Sequence, residues 1–235
     1  MSESLEGKVI LVTGGAKRIG RSIALQLAAE GAQVVVHYNE SEREAREVSP
    51  HLVKANLESV KEIRAMFDGV ASRFGRLDGL VNNAGRFTKF NPLQLEEADW
   101  DFIHSVNLKA TFFCNQAAAK IMLQGDGGHI VNLSSLGALR PWSDHAHYCA
   151  SKAGVVMLTR ALAKAWAPKI SVNTVAPGVI PFDEFDERIE RFIAATPARR
   201  AGTGDEVAEA VLFFLRSTRF ITGQLIAVDG GLSQR

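Results

Sequence analysis

The sequence is poor in cysteine, with only Cys114 and Cys149 among its 235 residues. Two thiols without a recurrent spacing argue against a disulfide framework and against a cysteine-based metal site. Both cysteines fall in segments with helical patterns, so we interpret them as buried thiols. Cys149 directly follows Tyr148, but neighbouring side chains on a helix diverge by about 100°, which disfavours a catalytic thiol.

An excess of charge of one sign is missing as well. The 27 lysines and arginines nearly balance the 26 aspartates and glutamates, which leaves a net charge of +1 and no long block of one sign. Proteins that bind nucleic acid usually carry a basic patch or stripe. We therefore expect no nucleic-acid partner.

Long hydrophobic runs are also absent, since none approaches the roughly 18 residues of a membrane-spanning helix. The first 15 residues lack the basic start, apolar stretch and small-residue cleavage site of a secretory signal. We expect a cytoplasmic protein without a membrane partner. Several histidines, His104, His129, His145 and His147, show no ligand spacing typical of a metal site, so we expect no metal.

Short β-branched runs alternate with helical patterns from one end of the chain to the other. The runs predict seven strands, at 9–15, 33–38, 51–56, 77–85, 129–135, 169–178 and 224–231. The helical patterns lie at 18–30, 58–74, 98–123, 146–166 and 204–216. Strands that are apolar throughout, such as Val34–Val36, favour a parallel sheet with helices on both faces. The sequence therefore predicts one α/β domain over residues 1–235, a Rossmann-type doubly wound parallel sheet.

One stretch, residues 179–203, follows neither pattern. It begins after Pro177-Gly178 and carries the acidic run DEFDE at 183–187. A segment of this kind at the edge of a site is typical of a short helical lid, and an ordinary surface connection is the alternative.

The segment from Thr13 to Gly20 follows the first strand and opens the first helix. Glycine permits a tight turn and a close approach of the backbone, and the helix N-terminus directs N–H groups at a pyrophosphate. This context predicts a dinucleotide-binding turn. A glycine-rich corner that binds nothing is the alternative.

The end of the second strand distinguishes the two nicotinamide cofactors. An Asp or Glu there would accept a hydrogen bond from the ribose 2′-hydroxyl and repel a 2′-phosphate, but Tyr38 occupies this place. Nearby residues that can donate to a phosphate or add positive charge are His37, Asn39, Ser41, Lys17 and Arg18. The sequence favours NADP(H) over NAD(H), with Glu40 as the residue that counts against it.

Tyr148 and Lys152 are spaced i and i+4, which places them on one face of a predicted helix. An ammonium group there can hold a phenol near its charged form, as a general acid for carbonyl reduction requires. Ser135 lies thirteen residues before Tyr148, at the end of a strand, where its hydroxyl can polarise a substrate carbonyl. A YxxxK pair alone is a common surface pattern, so the prediction depends on the combination.

The turn, Ser135, the YxxxK pair and the NNAG segment at 82–85 together resemble the short-chain dehydrogenase/reductase family over nearly the whole chain. The resemblance implies that Tyr148 donates the proton, that Lys152 lowers the tyrosine pKa and binds the nicotinamide ribose, and that Asn107 orders a water on the lysine. It further implies a set of cofactor-binding residues: Gly14, Ile19, Gly20, Asn56, Leu57, Asn83, Ala84, Gly85, Pro177, Gly178 and Ile180. The family's usual threonine two residues beyond Ile180 is Phe182 here.

Within the family, the pattern is most similar to the pteridine reductases. The similar segments are TGGAKRIGRSIA, HYNES, NNAGRF and ITGQLIAVDGGLSQR. In that branch, the residue at the Phe87 position stacks on the pterin, and the arginine at the Arg18 position reaches both phosphate and pterin. Two positions depart from it, because pterin reducers often have an aspartate at Ser135 and an arginine at Glu40. Bacterial 3-oxoacyl carrier-protein reductases, which share the serine and the chain length, are the alternative for this enzyme.

The alternative outside the enzymes is a regulatory protein that binds NADP(H) but catalyses no reaction. It is disfavoured because Asn107, Ser135, Tyr148 and Lys152 are all present. The expected partner is a small-molecule substrate. Family resemblance also implies a homotetramer or homodimer that packs through the helices bearing Asn107 and Tyr148.

Overall fold

A parallel sheet of seven strands organises the chain, of which the computed structural model describes residues 3–182 and 187–234. The strands are β1 (Val9–Val12), β2 (Gln33–Tyr38), β3 (His51–Lys54), β4 (Gly79–Asn82), β5 (Gly128–Leu133), β6 (Ile170–Pro177) and β7 (Leu225–Val228). The helices are α1 (Arg18–Ala29), α2 (Glu42–Val48), α3 (Val60–Phe74), α4 (Glu97–His104), α5 (Thr111–Met122), α6 (Ala146–Trp166), α7 (Glu187–Ala195) and α8 (Gly204–Arg216). A π-helical segment, Ser105–Ala110, joins α4 to α5, and short 3₁₀ turns cover Leu136–Ala138 and Leu232–Gln234.

The strands follow the order β3-β2-β1-β4-β5-β6-β7, and each neighbouring pair is parallel. The order reverses between β1 and β4, which is the switch point of a doubly wound sheet. Ligands of such sheets bind in the crevice beyond the carboxyl ends of the strands at this point. The topology therefore directs attention to the loops after β1 and β4.

Two apolar cores cover the two faces of the sheet. On one face, Ile23 and Leu27 of α1 pack with Val211 and Phe214 of α8, and on the other, Phe67 of α3 belongs to the core that α5 and α6 complete. β1, β4, β5 and β6 are buried along their whole length. Burial on both faces suits the wholly apolar β1, while β4, β5 and β6 also bury polar side chains, among them Asn82, Asn132 and Asn173.

The predicted Rossmann-type parallel sheet with helices on both faces is confirmed. The long helix predicted over 98–123 is instead interrupted by the π-helical segment Ser105–Ala110. Apolar periodicity continues through this segment, so nothing in the sequence pattern marks the extra backbone spacing of a π turn. None of the helices in residues 3–182 and 187–234 is both long enough and apolar enough to cross a bilayer.

Helix α2 was not predicted from the sequence. It has seven residues, of which only Ala45 and Val48 are buried, so it carries too little periodicity to be recognised. The segment expected to form a lid contains α7, whose Phe192 lies 6.2 Å from Trp142 between ring centroids. Most of its acidic run, residues 183–186, lies outside the described residues, and closure over the site stays a prediction.

Helix α1 approaches the turn after β1 so closely that only glycine fits at position 20. A Cβ atom on Gly20 would lie 2.2 Å from the Gly14 carbonyl oxygen and 2.5 Å from Nδ2 of Asn83. Both distances are far below van der Waals contact, and both neighbours belong to the backbone or to a side chain held by hydrogen bonds. Gly20 therefore sets the position of α1 relative to β1 and β4.

We expect Gly20→Ala to lower the melting temperature, because forced overpacking destabilises a well-packed site by about 1–3 kcal/mol. Each kcal/mol corresponds to about 2–4 °C for a domain of this size. The matched control is Gly69→Ala in α3, where a Cβ meets nothing within 4 Å and the substitution should raise stability by about 0.5–1 kcal/mol. Thermal unfolding at equal protein concentration measures both. Equal melting temperatures for Gly20→Ala and the wild type would contradict the packing argument.

Candidate active site

A cleft of about 900 Å³ opens beyond the carboxyl ends of β1 and β4. Most residues expected to bind a dinucleotide line it: Gly14, Lys17, Arg18, Ile19, Gly20, His37, Asn39, Asn56, Leu57, Asn83, Ala84 and Gly85. They come from four separate loops of the chain. The topology of the sheet thus brings the predicted turn and the NNAG segment to one site.

The first residues of α1, Arg18 to Arg21, line this cleft. Within the described first turn of α1, neither a side-chain cap on Lys17 nor an acidic residue is present. By contrast, α8 begins with a capping box formed by Thr203 and Glu206. Uncapped N–H groups and the positive end of the helix dipole suit a phosphate.

Asn83 fastens the turn after β1 to the loop after β4. Its Nδ2 donates to the carbonyl oxygens of Thr13 at 2.9 Å and Gly14 at 3.0 Å. In return, Thr13 Oγ1 accepts from the backbone N–H groups of Asn83 at 3.0 Å and Ala84 at 3.1 Å. Sequence reasoning gave Thr13 no role, although its pairing with NNAG is what holds the cleft in shape.

His37 lines the cleft, but both of its ring nitrogens are already hydrogen-bonded. Nδ1 accepts from the Gly14 backbone N–H at 3.0 Å, and Nε2 donates to the Ala55 carbonyl at 3.0 Å. Burial lowers the pKa of His37, so the neutral ring that this pattern requires is favoured. The ring has no N–H left to donate to a phosphate as expected from the sequence, and instead it supports the turn at Gly14.

Two further residues expected to bind the cofactor, Tyr38 at the strand end and Ser41 at the phosphate, lie away from the cleft lining. Tyr38 is buried in the core beside α1 and α2, where burial and the nearby Glu42 carboxylate raise its pKa. Ser41 is the N-cap residue of α2 and is half-buried. An isolated strand pattern cannot distinguish a strand-end side chain that faces the cleft from one that packs beneath it, which is why the sequence placed both residues at the cofactor.

Arg18 occupies a backbone conformation that usually requires glycine. Its φ angle is 52°, in the left-handed region, where the family pattern has its middle glycine. The Arg18 guanidinium lies 5.9 Å from the centroid of the Phe182 ring. A charged side chain at a strained position on a binding turn favours a functional reason for its presence.

Lys17, the second expected cation, is paired within the cleft. Its Nζ lies 2.9 Å from Oε1 of Glu44, a residue of the helix α2. Glu44 and Glu47 both line the cleft, whereas Glu40 is exposed and lies outside its lining. Sequence reasoning missed Glu44 because α2 itself was not predicted.

A second pocket, of about 220 Å³, adjoins the first and shares Ile19, Asn83, Gly85 and Arg86 with it. It contains the expected catalytic residues and most of the expected nicotinamide and substrate residues: Phe87, Ser135, Tyr148, Lys152, Pro177, Gly178 and Ile180. The two pockets thus form one continuous groove, with the expected phosphate-binding residues at one end, here called the phosphate-binding end, and the expected catalytic residues at the other, here called the reactive end.

Tyr148 and Ser135 are both buried and line the same pocket. Burial raises the pKa of Tyr148 to about 12, against a smaller lowering effect of the Ser135 hydroxyl. The direction is opposite to that expected from a neighbouring ammonium group, because desolvation of the phenolate dominates. A phenol with this pKa keeps its proton near neutral pH, which is the state that a proton donor needs at the start of a reduction.

Lys152 is held by backbone groups at the end of β5. Its Nζ donates to the Leu133 carbonyl at 3.0 Å, and its own carbonyl accepts from Ser134 Oγ at 2.8 Å. Burial lowers the pKa of Lys152 to about 8. Sequence reasoning assigned no part to Leu133 or Ser134, which fix the lysine in the pocket.

Asn107 lies in the π-helical segment and is completely buried. Its Oδ1 accepts from the Arg86 N–H at 2.7 Å, while Nδ2 donates to the Arg86 carbonyl at 3.0 Å and to Ser151 Oγ at 3.2 Å. The side chain thus ties the chain after NNAG to α6. The water-ordering role that the resemblance implies for Asn107 stays a prediction.

Phe87 lies at the mouth of the second pocket with about half of its surface, 53%, exposed. Its ring stacks on His145 with a centroid distance of 4.7 Å and meets the Tyr148 ring edge-on at 4.8 Å. Trp142 lies parallel to the Tyr148 ring at 6.1 Å. Phe87 is therefore a surface residue of the pocket, and aromatic neighbours limit the positions open to the Tyr148 ring.

Pro177 and Gly178, where β6 ends, line the same pocket as Tyr148. The Gly178 N–H donates to the Val228 carbonyl at 2.9 Å, and a Cβ on Gly178 would lie 2.7 Å from Cα of Asp229. Glycine is required here by the close approach of β7. In residues 3–182 and 187–234, no group of three or more His, Cys, Asp or Glu side chains is placed to hold a metal ion.

Comparison with known proteins agrees with this geometry. A family model described as enoyl-(acyl carrier protein) reductase matches residues 14–233. The chain is 41% identical to the 3-oxoacyl-[acyl-carrier-protein] reductase FabG of Staphylococcus aureus, over 96% of this chain and 98% of the relative. It is 36% identical to a short-chain type dehydrogenase/reductase of Picea abies, over 97% of this chain and 93% of that one.

Solved structures give the same result. The aldohexose dehydrogenase of Thermoplasma acidophilum superimposes with a TM-score of 0.92 at 29% identity, covering 100% of this chain and 97% of that one. A double mutant of a Serratia marcescens short-chain dehydrogenase/reductase superimposes with a TM-score of 0.93 at 32% identity, covering 98% and 100%. The chain therefore belongs to the short-chain dehydrogenase/reductase family and is an oxidoreductase.

Proposed function

We propose that this enzyme uses NADPH to reduce the 3-oxo group of an acyl thioester, with the acyl group attached to a carrier protein. The observation that carries the proposal is the convergence of Ser135, Tyr148 and Lys152, all buried, on one pocket. A hydroxyl and a phenol that line one pocket can both reach the oxygen of one ketone. The 41% identity to a 3-oxoacyl-[acyl-carrier-protein] reductase supports the same reading.

The residues of the cleft fit a dinucleotide. The uncapped start of α1 and the close packing of Gly20 on Gly14 leave room for a pyrophosphate against the backbone. Lys17 and Arg18 supply positive charge at the same end, as a 2′-phosphate requires. When bound, the nicotinamide supplies the hydride that adds to the carbonyl carbon.

The chain's own residues supply the proton and the electrostatics. Ser135 donates a hydrogen bond to the ketone oxygen and Tyr148 transfers its proton to it, which gives a 3-hydroxyacyl thioester. The charge of Lys152 favours the phenolate that remains after this transfer. Pro177, Gly178 and Ile180, which line the same pocket, would confine the nicotinamide.

Reduction of a pterin, which the sequence pattern favoured, has weaker support than the ketone reading. Ser135 is the residue that a carbonyl reducer needs, and the curated relatives described above are carrier-protein reductases and a short-chain dehydrogenase/reductase. One face of the Phe87 ring is already stacked on His145, so only the other face could receive a flat substrate. A comparison of substrates distinguishes the two readings.

A regulator without turnover also fits the site less well. Burying Lys152 lowers its pKa to about 8, which means that the protein holds the ammonium form against a desolvation penalty. Strongly perturbed groups that converge in one pocket favour a catalytic site.

We also propose that copies of the chain associate through the helices around Asn107 and Tyr148. Trp100 and Phe102 on α4 and Met157 on α6 expose 42%, 44% and 60% of their surface. Large apolar side chains on neighbouring helices are typical of a surface that another copy covers.

For the wild type, we expect NADPH oxidation with a 3-oxoacyl thioester and a much lower kcat/KM with a dihydropterin. Tyr148→Phe should lose about 10²- to 10⁴-fold in kcat, because the ring and its packing remain while the transferable proton is gone. Steady-state kinetics measure both, and calorimetric titration should show an unchanged Kd for NADPH. A higher kcat/KM for the dihydropterin would overturn the substrate, and a fully active Tyr148→Phe would overturn the mechanism.

The pH dependence of reduction should report Lys152. Its charged form is lost as pH rises through about 8, while Tyr148, with a pKa of about 12, keeps its proton. We therefore expect kcat to be constant at lower pH and to fall by about tenfold per pH unit well above 8. Rates at saturating NADPH and substrate measure this, with the NADPH Kd at each pH as control. A rate that stays level to about pH 10 would exclude a charged lysine in the transition state.

Arg18→Ala should weaken NADPH binding on the order of 10-fold and NADH binding much less, because a charge-assisted contact to phosphate is lost. Arg18→Gly is the matched variant, since it removes the same guanidinium but relieves the positive φ of 52°. We expect equal losses of NADPH affinity in the two variants and a higher melting temperature for Arg18→Gly. Titration and thermal unfolding separate the two effects. Unchanged NADPH affinity in both variants would remove Arg18 from the phosphate site.

A further inference from the structure

The helix α2 places a carboxylate beside the cations of the phosphate-binding turn. We propose that Glu44 sets the cofactor selectivity of this enzyme by holding Lys17 and opposing a 2′-phosphate. The inference rests on the proposed use of NADPH. The sequence named Glu40 as the residue that counts against NADP(H). The inference gives this role to Glu44 of helix α2, which the sequence did not predict.

The geometry of the pair carries the argument. Nζ of Lys17 and Oε1 of Glu44 are 2.9 Å apart, and Glu44 keeps only 28% of its side chain exposed against 53% for Lys17. Both residues line the cleft together with Arg18 and Asn39. The Glu44 carboxylate is therefore ion-paired with Lys17 at the end of the cleft where a 2′-phosphate would bind.

Glu44 is charged at neutral pH. The hydrogen bond from Lys17 lowers its pKa, and its own backbone N–H and the charge of Arg43 act in the same direction. Arg43 lies 3.9 Å away with 86% of its side chain exposed, so it competes weakly for the carboxylate. Lys17 is the closer of these two partners.

The two cofactors would respond differently to this carboxylate. A 2′-phosphate carries about −1.5 to −2 charges, so it is repelled by Glu44 and must also compete with it for Lys17. A ribose 2′-hydroxyl can donate a hydrogen bond to the same carboxylate. Removing the charge of Glu44 should therefore strengthen NADPH binding without strengthening NADH binding.

Glu40, Glu42 and Glu47 also lie on or near α2, but each differs from Glu44 in its exposure, its position or its partner. Glu40 is exposed and lies outside the cleft lining. Glu42 is held by Arg46 within α2, with Oε1 and Nε 3.1 Å apart. Glu47 lines the cleft three residues further along the helix and is exposed. Glu40 is thus the matched control for charge without the contact.

The test measures Kd values of NADPH and NADH by calorimetric titration of the full chain. The variants are Glu44→Gln, Glu40→Gln and Lys17→Met, together with the double variant Glu44→Gln/Lys17→Met. We expect Glu44→Gln to raise the ratio of the NADH Kd to the NADPH Kd by about 3- to 10-fold, since the pair is partly exposed. Glu40→Gln should change this ratio by less than about 2-fold. In the Lys17→Met background, the effect of Glu44→Gln should shrink.

The outcomes separate this inference from the proposed function. A wild type that prefers NADPH, with an unchanged ratio in Glu44→Gln, would overturn the role of Glu44 and leave the proposed function intact. A wild type that prefers NADH, with a ratio that rises in Glu44→Gln, would support Glu44 and overturn the proposed cofactor. Equal effects of Glu44→Gln with and without Lys17 would show that the carboxylate does not act through the lysine, which would overturn that part of the inference.

Discussion

The close approach of the turn after β1 to the loop after β4 is the constraint on which the site depends. Four hydrogen bonds join Thr13 and Gly14 of the first segment to Asn83 and Ala84 of the second. Gly20, which has no Cβ, lets α1 pack closely against Gly14 and Asn83. His37 supports the same turn from β2. The polar groups of the turn and the loop thus bond to one another, and the backbone N–H groups at the start of α1 are not needed as their partners.

Burial acts in opposite directions on the two titratable groups of the reactive end. It raises the pKa of Tyr148 to about 12 and lowers that of Lys152 to about 8, because each charged form loses hydration. Because both pKa values lie above neutral pH, a protonated phenol and a charged ammonium coexist there. Asn107, Leu133 and Ser134 keep these groups in place from the π-helical segment and from β5.

Charge at the other end of the groove is balanced rather than simply basic. Lys17 and Arg18 face the cleft, but Glu44 pairs with Lys17 at 2.9 Å. Arg18 is kept at a φ of 52° that glycine would adopt more easily. The enzyme thus combines a strained cation and a neutralised one, so counting basic residues in the sequence overstates the positive charge available to a cofactor.

Local signals were enough to predict the sheet, the glycine-rich turn between β1 and α1, and the position of Tyr148 and Lys152 on one helix, because hydrophobic period and helical spacing act over a few residues. They also placed Ser135 at a strand end, from which it lines the same pocket as Tyr148. The tertiary structure alone decided which nitrogen of His37 donates, that Tyr38 is buried, and that a π turn holds Asn107 against Arg86. It also decided that Glu44 meets Lys17. These features depend on contacts between segments that are distant in sequence, and on the helix α2, which is too short to show a clear apolar period. No local sequence pattern therefore predicts them.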